Sequence, residues 1–446
     1  SVKTEKSAAF KTPGHEEIEL ALVKMYDTTG KKKYLELSKH FIDRRGVEEE
    51  PWIGSNYNRY NTQDFLPVRQ QRTAEGHAVR ASYLYSGMAD IAYRYKDKEL
   101  LAACKAIFSN IVNKRMYITG GTGSSYLGEA YTLDYDLPNT KGYAETCAAI
   151  ALAFFAQRML LSDADSVYAD TVERIIYNGM LSGVSLDGKA FFYENPLEIQ
   201  PVLNNRNVAT TLTERNAVTQ RKEVFGCSCC PPNVIRFIGA INEYIYSYNK
   251  DTLFINQFIS SNLEYENIRA EISTEFPNCG KVYIKVSGIN KVAVRKPYWC
   301  KYLKLVINDV RSKYSSKKGY IYINLPKGQN RIRLEMDITP RLVYSNPKVY
   351  DNSHKTAVMR GPVVYCAEAV DNDFPLNNIV FGKELNYKTV KSDQLDAYML
   401  DVDIKIPQSI DYLYTFTPFK YRKKTLRMIP YYCFANRGET EMRVWL

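Results

Sequence analysis

Cys227-Ser228-Cys229-Cys230-Pro231-Pro232-Asn233 places three thiols within four positions and closes them with two prolines. Upstream lies a second short cluster, Glu145-Thr146-Cys147. Between them the clusters offer three thiolates and a carboxylate, a ligand set suited to one zinc ion. A thiolate can also act as a nucleophile, and its reactivity follows how far its environment keeps it ionised. Three other readings stand beside catalysis: a disulfide, a purely structural zinc, or buried free thiols. The spacing matches no common zinc-finger pattern.

The local chemistry says what must position these groups. Residues one or two apart do not share a helix face. Cys229 and Cys230 can therefore meet one ion only from irregular backbone. Pro231 disfavours helix at Cys230, whereas Pro232 suits a first helical turn. The pair is predicted to sit just before a helix carrying Val234, Ile235, Phe237 and Ile238, where the helix dipole favours thiolate. Glu145 and Cys147 likewise require a helix start or a turn.

The 446 residues predict two or three domains. A hydrophobic content of 45% with 24% charged residues predicts a soluble globular chain, and no apolar run is long enough to span a bilayer. The start, Ser1-Val2-Lys3-Thr4-Glu5-Lys6, is not a signal peptide and lacks an initiator Met. Net charge is +11, but basic residues are dispersed, with Lys31-Lys32-Lys33 and Arg422-Lys423-Lys424 the longest runs. They read as solvated surface, so a nucleic-acid partner is not expected. Nine cysteines form no regular disulfide framework, which favours a reducing compartment, the cytoplasm before the periplasm. The 36 tyrosines suit sugar stacking and equally suit β-rich cores.

Two periodicities divide the chain. Helical spacing is predicted from Pro13 onward: Ile18, Leu22 and Met25 ending at Gly30, then Tyr34, Leu37 and Phe41 ending at Gly46. Further helices are expected near 71–95 and 98–113. Residues 146–160 are apolar nearly all round and predict an inner helix. Val167, Val172, Ile175 and Ile176 mark its outer partner, stopped at Asn178-Gly179. Alternating inner and outer helices suggest an α/α toroid. From about residue 250 the period becomes two, as in Val282-Tyr283-Ile284-Lys285-Val286 and Tyr320-Ile321-Tyr322-Ile323, which predicts sandwich-like strands. The expected division is 1–248 helical, 249–346 a β-sandwich, and 347–446 a second β-sandwich or C-terminal β region.

Several motifs then carry a resemblance. Gly120-Gly121-Thr122-Gly123-Ser124-Ser125, Gly128-Glu129, Tyr135-Asp136-Leu137-Pro138-Asn139, Tyr143-Ala144-Glu145-Thr146-Cys147 and the 227–233 stretch resemble glycoside hydrolase family 127, the β-L-arabinofuranosidase family. Tyr193-Glu194-Asn195-Pro196-Leu197, Arg360-Gly361-Pro362, Ala435-Asn436-Arg437-Gly438 and Met442-Arg443-Val444-Trp445 extend it to the C-terminus. The resemblance implies an α+β multidomain chain, an (α/α)6 barrel followed by β-sandwich domains. It implies zinc on Glu145, Cys147, Cys229 and Cys230, with Cys229 as nucleophile and Glu129 as acid/base. Substrate contacts are implied for His77, Tyr193 and Glu145, with His15 a further candidate. The family barrel needs about twelve helices and this chain supplies about seven, so the first half of the barrel is expected to be missing. A chain lacking it is expected to be poorly active, and to form a homodimer or take an N-terminal segment.

The chemistry so implied is retaining hydrolysis with a thiolate in place of the usual nucleophilic carboxylate. The expected substrate is a plant-type oligosaccharide or glycopeptide glycan. Alternatives are a relative acting on another pectic sugar, and a non-catalytic, zinc-stabilised sugar-binding remnant. Sugar epimerases share the α/α toroid but not the cysteine-rich motif or the β tail.

Overall fold

The computed structural model describes residues 12–47, 59–204 and 218–446. Helices come first: α1 (Ile18–Thr29), α2 (Lys32–Arg44), α3 (Ala78–Tyr95), α4 (Lys98–Asn110), α5 (Thr146–Ser162), α6 (Ser166–Arg174), α7 (Cys230–Gly239) and the short α8 (Asn242–Ile245). Helices α1, α3, α5 and α7 pack side by side in that order. Helix α2 packs on α1, α4 on α3, and α6 on α5. This is the alternation of inner and outer helices that an α/α toroid requires. Helix α5 is inner throughout, since every residue from Thr146 to Leu160 is buried. Helices α4 and α6 each continue into one wide π-type turn, Ile111–Arg115 and Ile175–Met180. None of the described helices is long and apolar enough to cross a membrane.

Helix α1 departs from its expected face. Ile18 and Met25 are largely exposed, and the buried side carries Glu19, Leu20, Leu22 and Val23. The cause is a charge: Glu19 and Glu16 both turn inward to Arg45, whose guanidinium lies 3.5 Å and 3.2 Å from them. Helix α3 starts at Ala78, not near 71, because Gly76–His77 pairs as a short strand with Ala130–Tyr131. That pairing brings His77 beside the loop that carries Glu129.

Strand alternation builds the next region. In Lys281–Ser287 the residues Val282, Ile284 and Val286 point inward while Lys281, Tyr283 and Lys285 face solvent. A six-stranded sheet runs in the order Val310–Ser312, Leu303–Ile307, Asn330–Met336, Lys281–Ser287, Ile268–Thr274, Ser261–Tyr265. A five-stranded sheet runs Ser316–Lys317, Tyr320–Asn324, Lys291–Arg295, Thr252–Ile255, Tyr246–Asn249. The two share one core, from Leu253 and Val292 on one side to Ile284 and Leu334 on the other. A third, nine-stranded sheet includes Arg341–Tyr344, Thr356–Arg360, Val363–Glu368, Ala397–Pro407 and Tyr421–Pro430. Its strand Met442–Arg443 also pairs with Glu198–Ile199, so the C-terminal sheet reaches back to the segment that follows Tyr193.

Candidate functional site

Two helix starts meet at the cysteines. The chain turns sharply at Ala144, whose φ of 40° lies in the left-handed region. Glu145 then caps α5, and Cys147 sits in its first turn. At the other start Cys229 is the cap residue of α7 and Cys230 its first helical residue. The two prolines predict both thiols before the helix. Cys230 belongs to it because the prolines' missing N–H groups fall among donors that a first turn leaves unpaired anyway. Both helix N-termini direct partial positive charge at the cluster.

The ligand atoms of Glu145, Cys147, Cys229 and Cys230 all lie within 4.8 Å of one another. Cys147 Sγ is 3.5 Å from Cys229 Sγ and 3.7 Å from Cys230 Sγ, and the adjacent pair stands 3.9 Å apart. Glu145 Oε1 is 3.5 Å from Cys229 Sγ. Tetrahedral zinc with sulphur at about 2.3 Å and oxygen at about 2.1 Å sets ligand separations of about 3.8 Å and about 3.6 Å. The donor set therefore fits the ion in spacing as well as in type. Glu145 Oε2 adds to the fit, being buried with no hydrogen-bond partner. In the structure all nine cysteines are free thiols.

The three sulphurs are not equivalent. Cys147 and Cys230 are buried, whereas Cys229 is partly open to a cleft. Hydrogen bonds from Cys147 and Cys230 hold the Cys229 thiol far below its ordinary range, and those two are pushed up correspondingly. Burial and the Cys229 charge push the Glu145 carboxyl well up.

Glu129 stands across the same cleft in a left-handed turn, φ 52°. His77 Nε2 lies 2.9 Å from Glu129 Oε2. Burial acts to raise the Glu129 carboxyl, but hydrogen bonds from His77 and Tyr143 outweigh it and hold it below the usual carboxylate range. Tyr193 Oη is 3.4 Å from Cys229 Sγ. Tyr143 is hydrogen-bonded to both Glu129 and Tyr193, so a chain of contacts runs Glu129, Tyr143, Tyr193, Cys229. His15 lines the cleft with its ring centroid 6.4 Å from that of His77.

The cleft, about 570 Å³, thus gathers His15, His77, Glu129, Glu145, Cys147, Tyr193 and Cys229, with Cys230 behind them. It also contains residues that the sequence reading did not single out: Glu17, Arg80, Tyr83, Asn233 and Arg236. Asn233 Nδ2 donates to Tyr83 Oη at 3.0 Å, and Arg236 Nη1 to Glu17 Oε1 at 2.5 Å. Arg236 lies one turn beyond Pro232 on α7, a helical offset that could have flagged it. Tyr143 could have been flagged by its place two residues before Glu145.

Comparison with known proteins matches residues 2–243 to the β-L-arabinofuranosidase catalytic domain of glycoside hydrolase family 127. Residues 252–338 match the middle domain of that family and 340–446 its C-terminal domain. The chain is 36% identical to a non-reducing end β-L-arabinofuranosidase of Bifidobacterium longum subsp. longum, over 97% of this chain and 70% of that protein. A family 127 β-L-arabinofuranosidase from Geobacillus stearothermophilus T6 superposes with a TM-score of 0.91 at 37% identity, over 97% of this chain and 72% of the other. A second solved structure, a family 127 β-arabinofuranosidase, gives a TM-score of 0.85 at 35% identity, over 98% of this chain and 69% of the other.

Proposed function

Because the chain belongs to glycoside hydrolase family 127, the β-L-arabinofuranosidase family, we propose that it releases L-arabinofuranose from β-L-arabinofuranosides with retention of configuration. The observation that carries this reading is the half-open Cys229 sulphur, held among Glu145, Cys147 and Cys230 in a cleft that also holds Glu129. The substrate is a plant-type oligosaccharide or glycopeptide glycan with a terminal furanoside.

Glu145, Cys147, Cys229 and Cys230 would hold zinc, which keeps the Cys229 sulphur ionised and fixes its direction at some cost in nucleophilicity. Cys229 Sγ attacks the anomeric carbon; a C–S bond forms as the glycosidic C–O bond breaks. Glu129 delivers its proton to the departing oxygen. In the second step Glu129 takes a proton from water, the water oxygen bonds to the anomeric carbon, and the thiolate of Cys229 leaves. Glu129 is held low in the open cleft, which suits the second step. A sugar in the cleft displaces water and deepens burial, and this favours the protonated form needed for the first. His77 orients the carboxylate through its 2.9 Å contact, and Tyr193 steadies the Cys229 sulphur from 3.4 Å.

The test is an assay of the purified chain against a panel of α- and β-L-arabinofuranosides, with NMR of the first-formed sugar anomer and elemental analysis for zinc. Release of the β-anomer from β-linked substrates by a protein carrying one zinc is expected, at a low rate if the first half of the barrel is missing. Binding of sugar without hydrolysis by a zinc-bearing chain would replace this reading with the zinc-stabilised remnant, and absence of zinc would overturn the metal assignment in both.

A further inference from the structure

Asn195 is buried, 2% exposed, and does not line the cleft. Its amide is nevertheless committed to the segment that carries Glu145. Nδ2 donates to the Ala144 carbonyl at 3.1 Å and to Thr146 Oγ1 at 2.9 Å, so it bonds on both sides of Glu145. The backbone N–H of Asn195 donates to the same Ala144 carbonyl at 3.2 Å. Oδ1 accepts from Ser182 Oγ at 3.0 Å. Both amide hydrogens and the amide oxygen are thereby engaged.

Ala144 is the residue that needs holding. A left-handed φ is unfavourable for a residue with a Cβ and persists only where the surroundings impose it. The Ala144 methyl faces Gly121, where any Cβ would come within 2.9 Å of it. Two N–H groups converging on one carbonyl set the direction of the Ala144–Glu145 peptide, and with it the departure of the Glu145 side chain. Thr146 continues the clamp: its backbone N–H donates to the Tyr193 carbonyl at 3.0 Å and its hydroxyl to the Phe192 carbonyl at 2.8 Å. From the turn that follows strand Tyr421–Pro430, Tyr431 Oη donates to the carbonyls of Asn195 at 3.1 Å and Pro196 at 3.0 Å. The clamp therefore registers the segment bearing Tyr193 against the turn bearing Glu145.

We propose that Asn195 is a positioning residue for the metal-ligand set. It aims the Glu145 carboxylate at the three sulphurs and keeps the Tyr193 hydroxyl against Cys229, without touching ion or sugar. The inference rests on the zinc reading above. A general buried hydrogen bond would behave differently, and Asn372 is the matched control. It is also buried, and its Nδ2 donates to the carbonyls of Glu368 and Arg427 at 2.7 Å and 3.1 Å, entirely within the C-terminal sheet.

The experiment compares Asn195→Ala, Asn195→Asp, Thr146→Val and Asn372→Ala with the parent chain. Zinc affinity is measured by competition with a chromophoric chelator, and melting temperature with and without zinc. Asn195→Asp keeps the volume and the Ser182 acceptor but loses both donors. The clamp requires it to lose zinc affinity as strongly as Asn195→Ala, by about 10- to 100-fold. Thr146→Val, which keeps volume but removes both the acceptor for Asn195 Nδ2 and the donor to the Phe192 carbonyl, should lose about tenfold and serves should the Asn195 variants fail to fold. Asn372→Ala should lower the melting temperature and keep parental zinc affinity. Asn195→Asp with parental affinity, or Asn372→Ala losing as much affinity as the Asn195 variants, overturns the clamp. A parent chain that takes up no zinc overturns the metal reading and the clamp together.

Discussion

Cys229, Cys147 and Cys230 differ in access, and that difference orders their chemistry. With zinc removed by a chelator, alkylation should reach Cys229 before Cys147 or Cys230, because Cys229 is partly exposed while the other two are buried. Peptide mass spectrometry after timed iodoacetamide treatment reads the order; equal labelling of the three would contradict it. Glu129 takes no part in the ligand set. Glu129→Gln should therefore retain zinc and lose about 10²- to 10⁴-fold in turnover on a natural glycan. Aryl arabinofuranosides with good leaving groups should lose less in the first step, since they need less protonation. Normal turnover of the natural glycan by Glu129→Gln would remove Glu129 from the acid/base role.

At the scale of elements, the start of α1 is organised by two inward carboxylates on one guanidinium. Arg45 also donates to the carbonyls of Thr62 and Pro13, at 3.1 Å and 2.7 Å, and both carboxyl oxygens of Glu16 are buried without a hydrogen bond. Burial, partly offset by Arg45, pushes Glu16 up to about 8 from its ordinary 4.5, with Glu19 adding to the rise and Arg80 opposing it. The folded state then holds a proton that the unfolded chain releases earlier. This contribution to stability is full below about pH 4.5 and is lost as pH rises through about 8. Glu16→Gln, which cannot ionise, should flatten the fall in melting temperature between pH 5 and 8 and raise stability at the upper end. An unchanged slope in thermal scans across that range would place the carboxylate's proton elsewhere.

Across the whole molecule, the helical region is tied to the sheets by buried charge. Arg295, at 0% exposure, reaches Asp170 Oδ1 at 2.6 Å and Glu173 Oε1 at 2.5 Å on α6, and donates to the Asn256 carbonyl at 2.5 Å. Trp299 Nε1 donates to Glu173 Oε2 at 2.7 Å. Taking out one partner strands the others, so Arg295→Met should cost about 3–5 kcal/mol. Replacing Arg295, Asp170 and Glu173 together by apolar residues of similar size should cost far less, since no charge is then left unpaired. Urea unfolding of the single and triple variants decides between the two. A triple variant as unstable as Arg295→Met would mean that the ion pairs themselves, not the stranded charges, hold the regions together.

Much of this protein was legible before any coordinate. The types of the four ligand groups, the helix starts beside them, the all-round apolar run of α5 and the period-two strands are local properties. Each is written in residue chemistry and spacing over a few positions. Helix α1 shows the limit of that reading. Ile18 and Met25 have apolar spacing, yet Arg45, 26 positions beyond Glu19, turns the charged side inward. The same holds at the site. Cys147 and Cys229 are 82 positions apart, and nothing local requires them to meet. Their meeting depends on α5 and α7 packing together and on the left-handed turn at Ala144. Tyr143, Arg236 and Asn195 acquire their places only through that packing. Sequence alone specified which groups could bind a metal and attack a sugar. Tertiary structure decided that they converge, because convergence comes from the summed packing of distant segments and has no period to read.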